Sequence, residues 1–270
     1  MLGSSRDALA QGRTVLRQQL SAGADPAALG NELFAVANLL DDAHSLRRAL
    51  ADPSAIDASK RSLATGLLRG KVSDATLAVV ESLAGSRWSS ENDLVDGAEQ
   101  LGVEATLLAA ERDEALDRVE DELFRVERVV SGSPELQNAL ADPQRSGEDK
   151  AGLLRGLLEG KAARQTIDLV SQAVAHPRGQ RLIRVLSGYG EVAARLREQL
   201  TATVTSAFPL DDALQQRLDQ ALAQAYGRTV RTDLVVDPSV VGGLRIQVGD
   251  EVIDGTILSR LSQAQRALAG

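Results

Sequence analysis

Apolar residues recur at three- and four-residue steps along the chain as far as Leu200, the spacing that places them on one face of a helix. Leu29, Leu33, Val36, Leu39 and Leu40 show it plainly. Asp25-Pro26 supplies a side-chain acceptor at the N-cap and a ring at the first helical position, so a helix is predicted to begin there. Asp52-Pro53 and Asp142-Pro143 end the elements before them, because the residue preceding a proline is pushed out of helical space. Ser146 followed by Asp149 predicts a capped start for a helix through Leu153, Leu157 and Leu158. Ser73 predicts the same for an apolar helix from Ala75 to Leu83, with a counterpart from about Arg164 to Ala175. A long helix from about Leu101 to Val130 is expected to link these groups. After Leu200 the period changes. Leu200 to Ala207 is rich in β-branched residues and predicts a strand. Asp211 opens a helix through Leu214, Leu218 and Leu222 that Gly227 closes. Val230–Val236 and Gly243–Gly249 alternate apolar and polar residues about a turn at Asp237-Pro238 and Gly242-Gly243. A last helix is expected from about Gly255 to Leu268. The fold class is α+β, mostly α: a helical region followed by a small β-α-β-β-α domain.

The helical region is duplicated. Residues 32–80 align with 122–170 without a gap at an offset of 90, with 19 identities in 49 positions. Ordinary residue frequencies would produce about 3–4. The pairs include Glu32/Glu122, Leu33/Leu123, Phe34/Phe124, Val36/Val126, Thr76/Thr166 and Val80/Val170. The run Ala49-Leu-Ala-Asp-Pro53 recurs whole as Ala139 to Pro143. The four lysines of the chain, Lys60, Lys71, Lys150 and Lys161, are two such pairs. A repeat of this kind organises the whole chain. It divides into a first helical copy at 1–110, a second at 111–199 and a mixed C-terminal domain at 200–270.

Composition narrows the function. The chain is 43% hydrophobic and only 2% aromatic, so its core is built of Leu, Val and Ala. A net charge of −8, a pI near 5.0 and the scarcity of aromatics make a poor nucleic-acid binder, since phosphate affinity comes from a cationic face and base affinity from stacking. The absence of cysteine excludes disulfides and thiolate metal sites. The longest apolar stretches, such as Leu33 to Leu40, fall far short of the ~20 residues that span a bilayer. The opening MLGSSRDALA lacks the apolar core of a signal peptide. A soluble, cytoplasmic protein without membrane insertion is expected.

No catalytic constellation stands out. Gly66-Leu-Leu-Arg-Gly70-Lys71 and its echo Gly156-Leu-Leu-Glu-Gly160-Lys161 resemble a phosphate loop only superficially. The spacer is one residue too short, and Val72 and Ala162 stand where a hydroxyl would bind magnesium. Glycine ending a helix, with lysine beside the last carbonyls, accounts for both. His44 and His176 have no companion ligands, so neither predicts a metal or catalytic site. The Asp41-Asp42 and Asp211-Asp212 pairs lie at expected helix ends, and no nucleophile-elbow motif is present. No cofactor is predicted. The helices around Leu77-Val79-Val80-Leu83 and Ile167-Leu169-Val170-Val174 are apolar on more than one side, fitting either core packing or a stripe that faces a partner helix. Trp88, the sole tryptophan, fits an interface anchor or half-buried packing equally well.

The C-terminal run from Asp233 to Leu261 resembles the signature of the delta subunit family of F-type ATP synthase, which includes the oligomycin-sensitivity-conferring protein. Asp237, Ser239, Gly242, Gly243, Gly249, Asp250, Ile253, Asp254, Gly255, Arg260 and Leu261 match it, and Thr256 stands for the usual Ser. Residues from about 120 to 200 resemble the family's helical domain. The extra copy resembles the enlarged delta subunits of actinobacteria. One departure is the first helix, where Ser5-Arg6-Asp7-Ala8-Leu9-Ala10 replaces an aromatic-bearing stretch. The resemblance implies a non-catalytic stator subunit, one copy per complex, peripheral at the cytoplasmic face of the cell membrane. Its partners would be the N-terminal helices of alpha subunits, the beta subunits of the head and the b-type stalk. Val79, Leu83, Val170 and Val174 are then expected to line helix-binding grooves, one per copy, and Gly243 to Leu261 to support stalk contact. A helical-repeat adaptor of another complex would explain the duplication but leave the C-terminal signature to coincidence.

Overall fold

A computed structural model describes residues 3–142, 144–226, 230–240, 242–249 and 251–254. The chain forms two compact units, Met1–Ala193 and Ala194–Gly270.

The first unit is all helical, and the repeat is visible element by element. The first copy comprises α1 (Gly3–Ser21), α2 (Pro26–Asp42), α3 (His44–Ala51), α4 (Asp57–Leu68) and α5 (Asp74–Ala84). Counted at the 90-residue offset, which moves residues 91–110 out of the first copy as delimited above, the second comprises α6 (Glu91–Arg112), α7 (Leu116–Gly132), α8 (Pro134–Ala141), α9 (Gly147–Leu158) and α10 (Arg164–Ala175), and α11 (Leu182–Leu200) follows. From α2/α7 to α4/α9 the bounds agree at an offset of 90. The expected caps are in place. Asp25 accepts from the Ala28 amide, Ser73 from Thr76 and Ser146 from Asp149. α4 and α9 end just before Gly70 (φ +75°) and Gly160 (φ +72°), the left-handed backbone that favours glycine. Lys161 Nζ donates to the Leu157 carbonyl, completing a helix C-terminus rather than a phosphate loop.

The long helix expected from Leu101 to Val130 is broken into α6 and α7. Glu114 adopts φ +53°, and the Ala115 amide donates back to the Ala110 carbonyl, a 6→1 closure that ends α6. No glycine marks this stop, so helical periodicity runs straight through it.

α6 serves both copies. By position it is the counterpart of α1, and it packs on α10 as α1 packs on α5. It is also the helix against which α2 lies most extensively. That crossing is close because Gly30 and Gly102 face it. A Cβ on Gly30 would come within 2.6 Å of Thr106 Oγ1, and one on Gly102 within 2.8 Å of the Phe34 ring. A core of Leu, Val and Ala with the single Trp88 fills the space between α1, α2, α5 and α6.

In the second unit, β1 (Thr201–Ser206), α12 (Asp212–Tyr226), β2 (Arg231–Val236), β3 (Leu244–Val248) and β4 (Glu251–Asp254) build a sheet ordered β2-β1-β3-β4. β1 and β2 are parallel, joined by the α12 crossover, and the other pairs are antiparallel. Ala202, Val204, Val230 and Val248 pack with Leu222 of α12. β4 was not foreseen: a strand of four residues is too short to show a period. The helix expected from Gly255 to Leu268 lies outside the described residues.

Candidate interaction surfaces

The four valine and leucine positions expected to line grooves are buried. Val79, Leu83, Val170 and Val174 belong to the interior of the chain itself. On α5 the reason is α1: Gly12 has no side chain, and a Cβ there would lie 2.8 Å from both Leu83 and Leu101. α1 therefore seats directly over Leu83. On α10, packing against α9, α6 and α7 takes up the apolar surplus. Trp88 is also interior at 4% exposure. Its Nε1 donates to the Leu83 carbonyl, and its ring lies over Gly97. An indole with a buried hydrogen-bond partner and a glycine beneath it is a packing element, not an exposed anchor.

His44 opens α3 and approaches Glu91 at 3.8 Å, while His176 ends α10. Among the described residues, no group of three or more His, Asp or Glu side chains is arranged to hold a metal.

Exposed apolar side chains mark the surfaces open to other molecules. In the helical unit they are Leu39, Ile56, Leu63, Leu67, Phe124, Val129 and Leu157. In the second unit, Leu234, Val235 and Val236 on β2 and Val252 and Ile253 on β4 are exposed, with Phe208 beyond β1. β2 and β4 are the two edges of the sheet. Edge strands with apolar exposed side chains are prone to take up a further partner.

The signature residues shape the loops that present these edges. The Asp237 carboxylate accepts from the Ser239 amide. Hydrogen bonds from the Ser239 hydroxyl and amide hold its pKa below the usual aspartate range. Gly242 (φ +60°) and Gly243 (φ +90°) turn the chain into β3, and Gly249 (φ +56°) turns it into β4. Ile253 pairs with Ile246 and Asp254 with Arg245 across that hairpin. Asp250, Gly255, Arg260 and Leu261 lie outside the described residues.

A repeated device that the sequence reading did not identify holds each copy together. Glu32 on α2 accepts from the amide of Ser73 at 2.9 Å and its hydroxyl at 2.7 Å, at the start of α5. Glu122 on α7 accepts from the Ala163 amide at 2.8 Å and the Thr166 hydroxyl at 2.6 Å, at the start of α10. Burial opposes both charges. The hydrogen bonds from Thr76 and Ser73, and from Thr166 and Ala163, outweigh it and keep both carboxyls below the ordinary glutamate value. The signal was present in the identities: Glu32/Glu122 and Thr76/Thr166 keep one separation in both copies.

The copies are also joined side by side. The Asn38 and Gln172 amides exchange two hydrogen bonds, at 3.2 and 2.9 Å, between α2 and α10. Arg112 at the end of α6 pairs with Asp25 at 2.6 Å and holds that N-cap carboxyl below its usual pKa.

Comparison with known proteins places these features in a family. A family model described as ATP synthase delta (OSCP) subunit matches residues 103–268, from within α6 through the second unit. The ATP synthase subunit delta of Kineococcus radiotolerans is 48% identical over 269 residues, 99% of this chain and 98% of that one. The same subunit of Thermobifida fusca is 44% identical over 272 residues and that of Streptomyces griseus 45% over 271, each across the full length of both chains. A solved structure of the Toxoplasma gondii mitochondrial ATP synthase hexamer contains a chain 21% identical, matched over 62% of this chain and 95% of that chain, with a TM-score of 0.33.

Proposed function

The chain belongs to the ATP synthase delta (OSCP) subunit family, and we propose that it is the non-catalytic stator subunit joining the catalytic head of that enzyme to its peripheral stalk. The observation that carries this reading is likeness to actinobacterial ATP synthase delta subunits over essentially the whole chain, duplicated copy included. The physical task is to stop the head turning with the central shaft, so that proton flow does work on the catalytic sites. That task calls for stiffness and contact at more than one point rather than chemistry. Helices joined within and between the copies by charged and amide hydrogen bonds support it, as does a sheet with two exposed apolar edges.

In this reading the helical unit meets the alpha and beta subunits of the head, including alpha N-terminal helices. The second unit meets the b-type stalk through the hairpin and edge built by Gly243 to Asp254. One copy serves each complex, peripheral to the cytoplasmic face of the membrane; no described helix is long and apolar enough to cross it. Native mass spectrometry of the full chain mixed with the catalytic head, intact or lacking the alpha N-terminal helices, tests this. A one-to-one complex that disappears on trimming is expected. Absence of any complex with the intact head overturns the proposal.

A further inference from the structure

Glu99 lies midway along α6 and is only 8% exposed. A carboxylate so far from water persists only if it is paired and hydrogen-bonded. Its partners come from one later stretch of chain. Arg178, in the loop between α10 and α11, forms an ion pair with Glu99 Oε2. The Tyr189 hydroxyl, two turns into α11, donates to Glu99 Oε1 at 2.5 Å. Asp96, one turn earlier on α6, stands 3.8 Å from the same guanidinium.

The backbone around Arg178 is held in a particular shape to make this contact. Arg178 has φ +44° and Gly179 φ +73°. A left-handed arginine is unfavourable unless its surroundings over-determine it. Burial of the Tyr189 ring pushes its hydroxyl's pKa up, so that it stays a proton donor at any pH the protein meets. The position equivalent to Arg178 in the first copy is Trp88, which rests on Gly97 of α6. In each copy, therefore, the loop after the fifth helix fastens onto α6 through one large side chain, apolar in the first and charged in the second.

We propose that Glu99 is the positioning residue that fastens α11 to the helical unit. One carboxylate takes the loop that introduces α11 on one oxygen and the helix itself on the other, which fixes both the root of α11 and its rotation about its axis. α11 is the helix on which the division between the two compact units falls, at Ala193/Ala194. Glu99 thus fastens the part of α11 that belongs to the helical unit, beside the buried Leu186 and Ala193. This goes beyond the stator reading and rests on geometry within the first unit alone.

Hydrogen exchange on the full-length protein tests it. Tyr189→Phe deletes one donor and leaves the ion pair. It is expected to speed exchange of the Leu182–Ala193 amides several-fold and leave α2 unchanged. Glu99→Gln removes the charge that pairs with Arg178 and leaves a single acceptor oxygen facing two donors, and it is expected to speed the same amides about tenfold or more, as weakening of hydrogen bonds to a charged group implies. Because both act through one carboxylate, adding Tyr189→Phe to Glu99→Gln should add little further. Equal acceleration of α2 and α11 in the Tyr189→Phe protein, or α11 exchange within about twofold of the parent in both single variants, overturns the proposal.

Discussion

Phe34 and Phe124 occupy the same place in the two copies, yet their surroundings are opposite. Phe34 is 5% exposed beneath α6, whereas Phe124 is 58% exposed, with the Arg128 guanidinium over its ring 5.8 Å from the centroid. Phe34→Ala should cost about 3–5 kcal/mol of stability in a urea titration. Phe124→Ala should stay within about 0.5 kcal/mol. The paired glutamates differ in a subtler way. Ser73 caps α5 with its own hydroxyl as well as receiving Glu32, but Ala163 at the start of α10 has no side-chain acceptor and relies on Glu122. Glu122→Ala should therefore cost about 1–2 kcal/mol, and more than Glu32→Ala. Both carboxyls have folded pKa values below their unfolded ones. Their contribution is therefore fully present above the unfolded glutamate value and is lost as the pH falls through the lower, folded value. The stability difference between the parent and Glu122→Ala should be constant near neutrality and shrink below about pH 4. A difference that grows on acidification would contradict this assignment.

At the level of elements, glycine has opposite meanings at different positions. Gly102 allows α2 and α6 to meet, so Gly102→Ala drives a methyl into the Phe34 ring and should lower stability by about 1–3 kcal/mol. Gly66 and Gly156 lie inside α4 and α9 with nothing within 4 Å of a Cβ. Alanine at either should raise stability by about 0.5–1 kcal/mol, because it restores helix propensity without a clash. Thermal melts of the three variants would show the two signs. Such differences explain what could be read from the chain. The duplication, the caps at Asp25, Ser73 and Ser146, and the β-α-β-β order of the second unit were legible, because local rules of period and capping govern them. The α6–α7 break was not, since Glu114 takes the left-handed place that glycine would advertise. Nor was the burial of Val79, Leu83, Val170 and Val174. Apolar residues on two sides of a helix look alike whether a partner or the chain's own α1 covers them, and Gly12 and Leu83 meet only in three dimensions.

For the molecule as a whole, the central fact is that the repeat does not produce two separable domains. α6 stands first in the second copy, yet it covers α2 of the first, and the Asn38–Gln172 amide pair ties α2 to α10. Residues 1–193 accordingly form one compact unit. If the copies were independent, removing a buried side chain from one would leave the other's unfolding midpoint in place. With α6 shared, unfolding the first copy strips α6 of its largest contact and exposes Leu101, Ala105 and Gly102 to water. The second copy would lose its first helix as well. A destabilising change confined to the first copy should therefore be felt throughout the unit. Leu33 is fully buried in the first copy, and Leu33→Ala should cost about 2–5 kcal/mol. Followed by hydrogen exchange in denaturant, the core amides of α7 and α10 should shift to lower midpoint together with those of α2 and α5, as one cooperative transition. Core amides of α7 and α10 that keep their parental midpoint while α2 and α5 exchange early would show two foldons and refute the shared-helix argument. A single transition is also what a stator requires, because a joint between independently melting copies would yield under torque before the head was held.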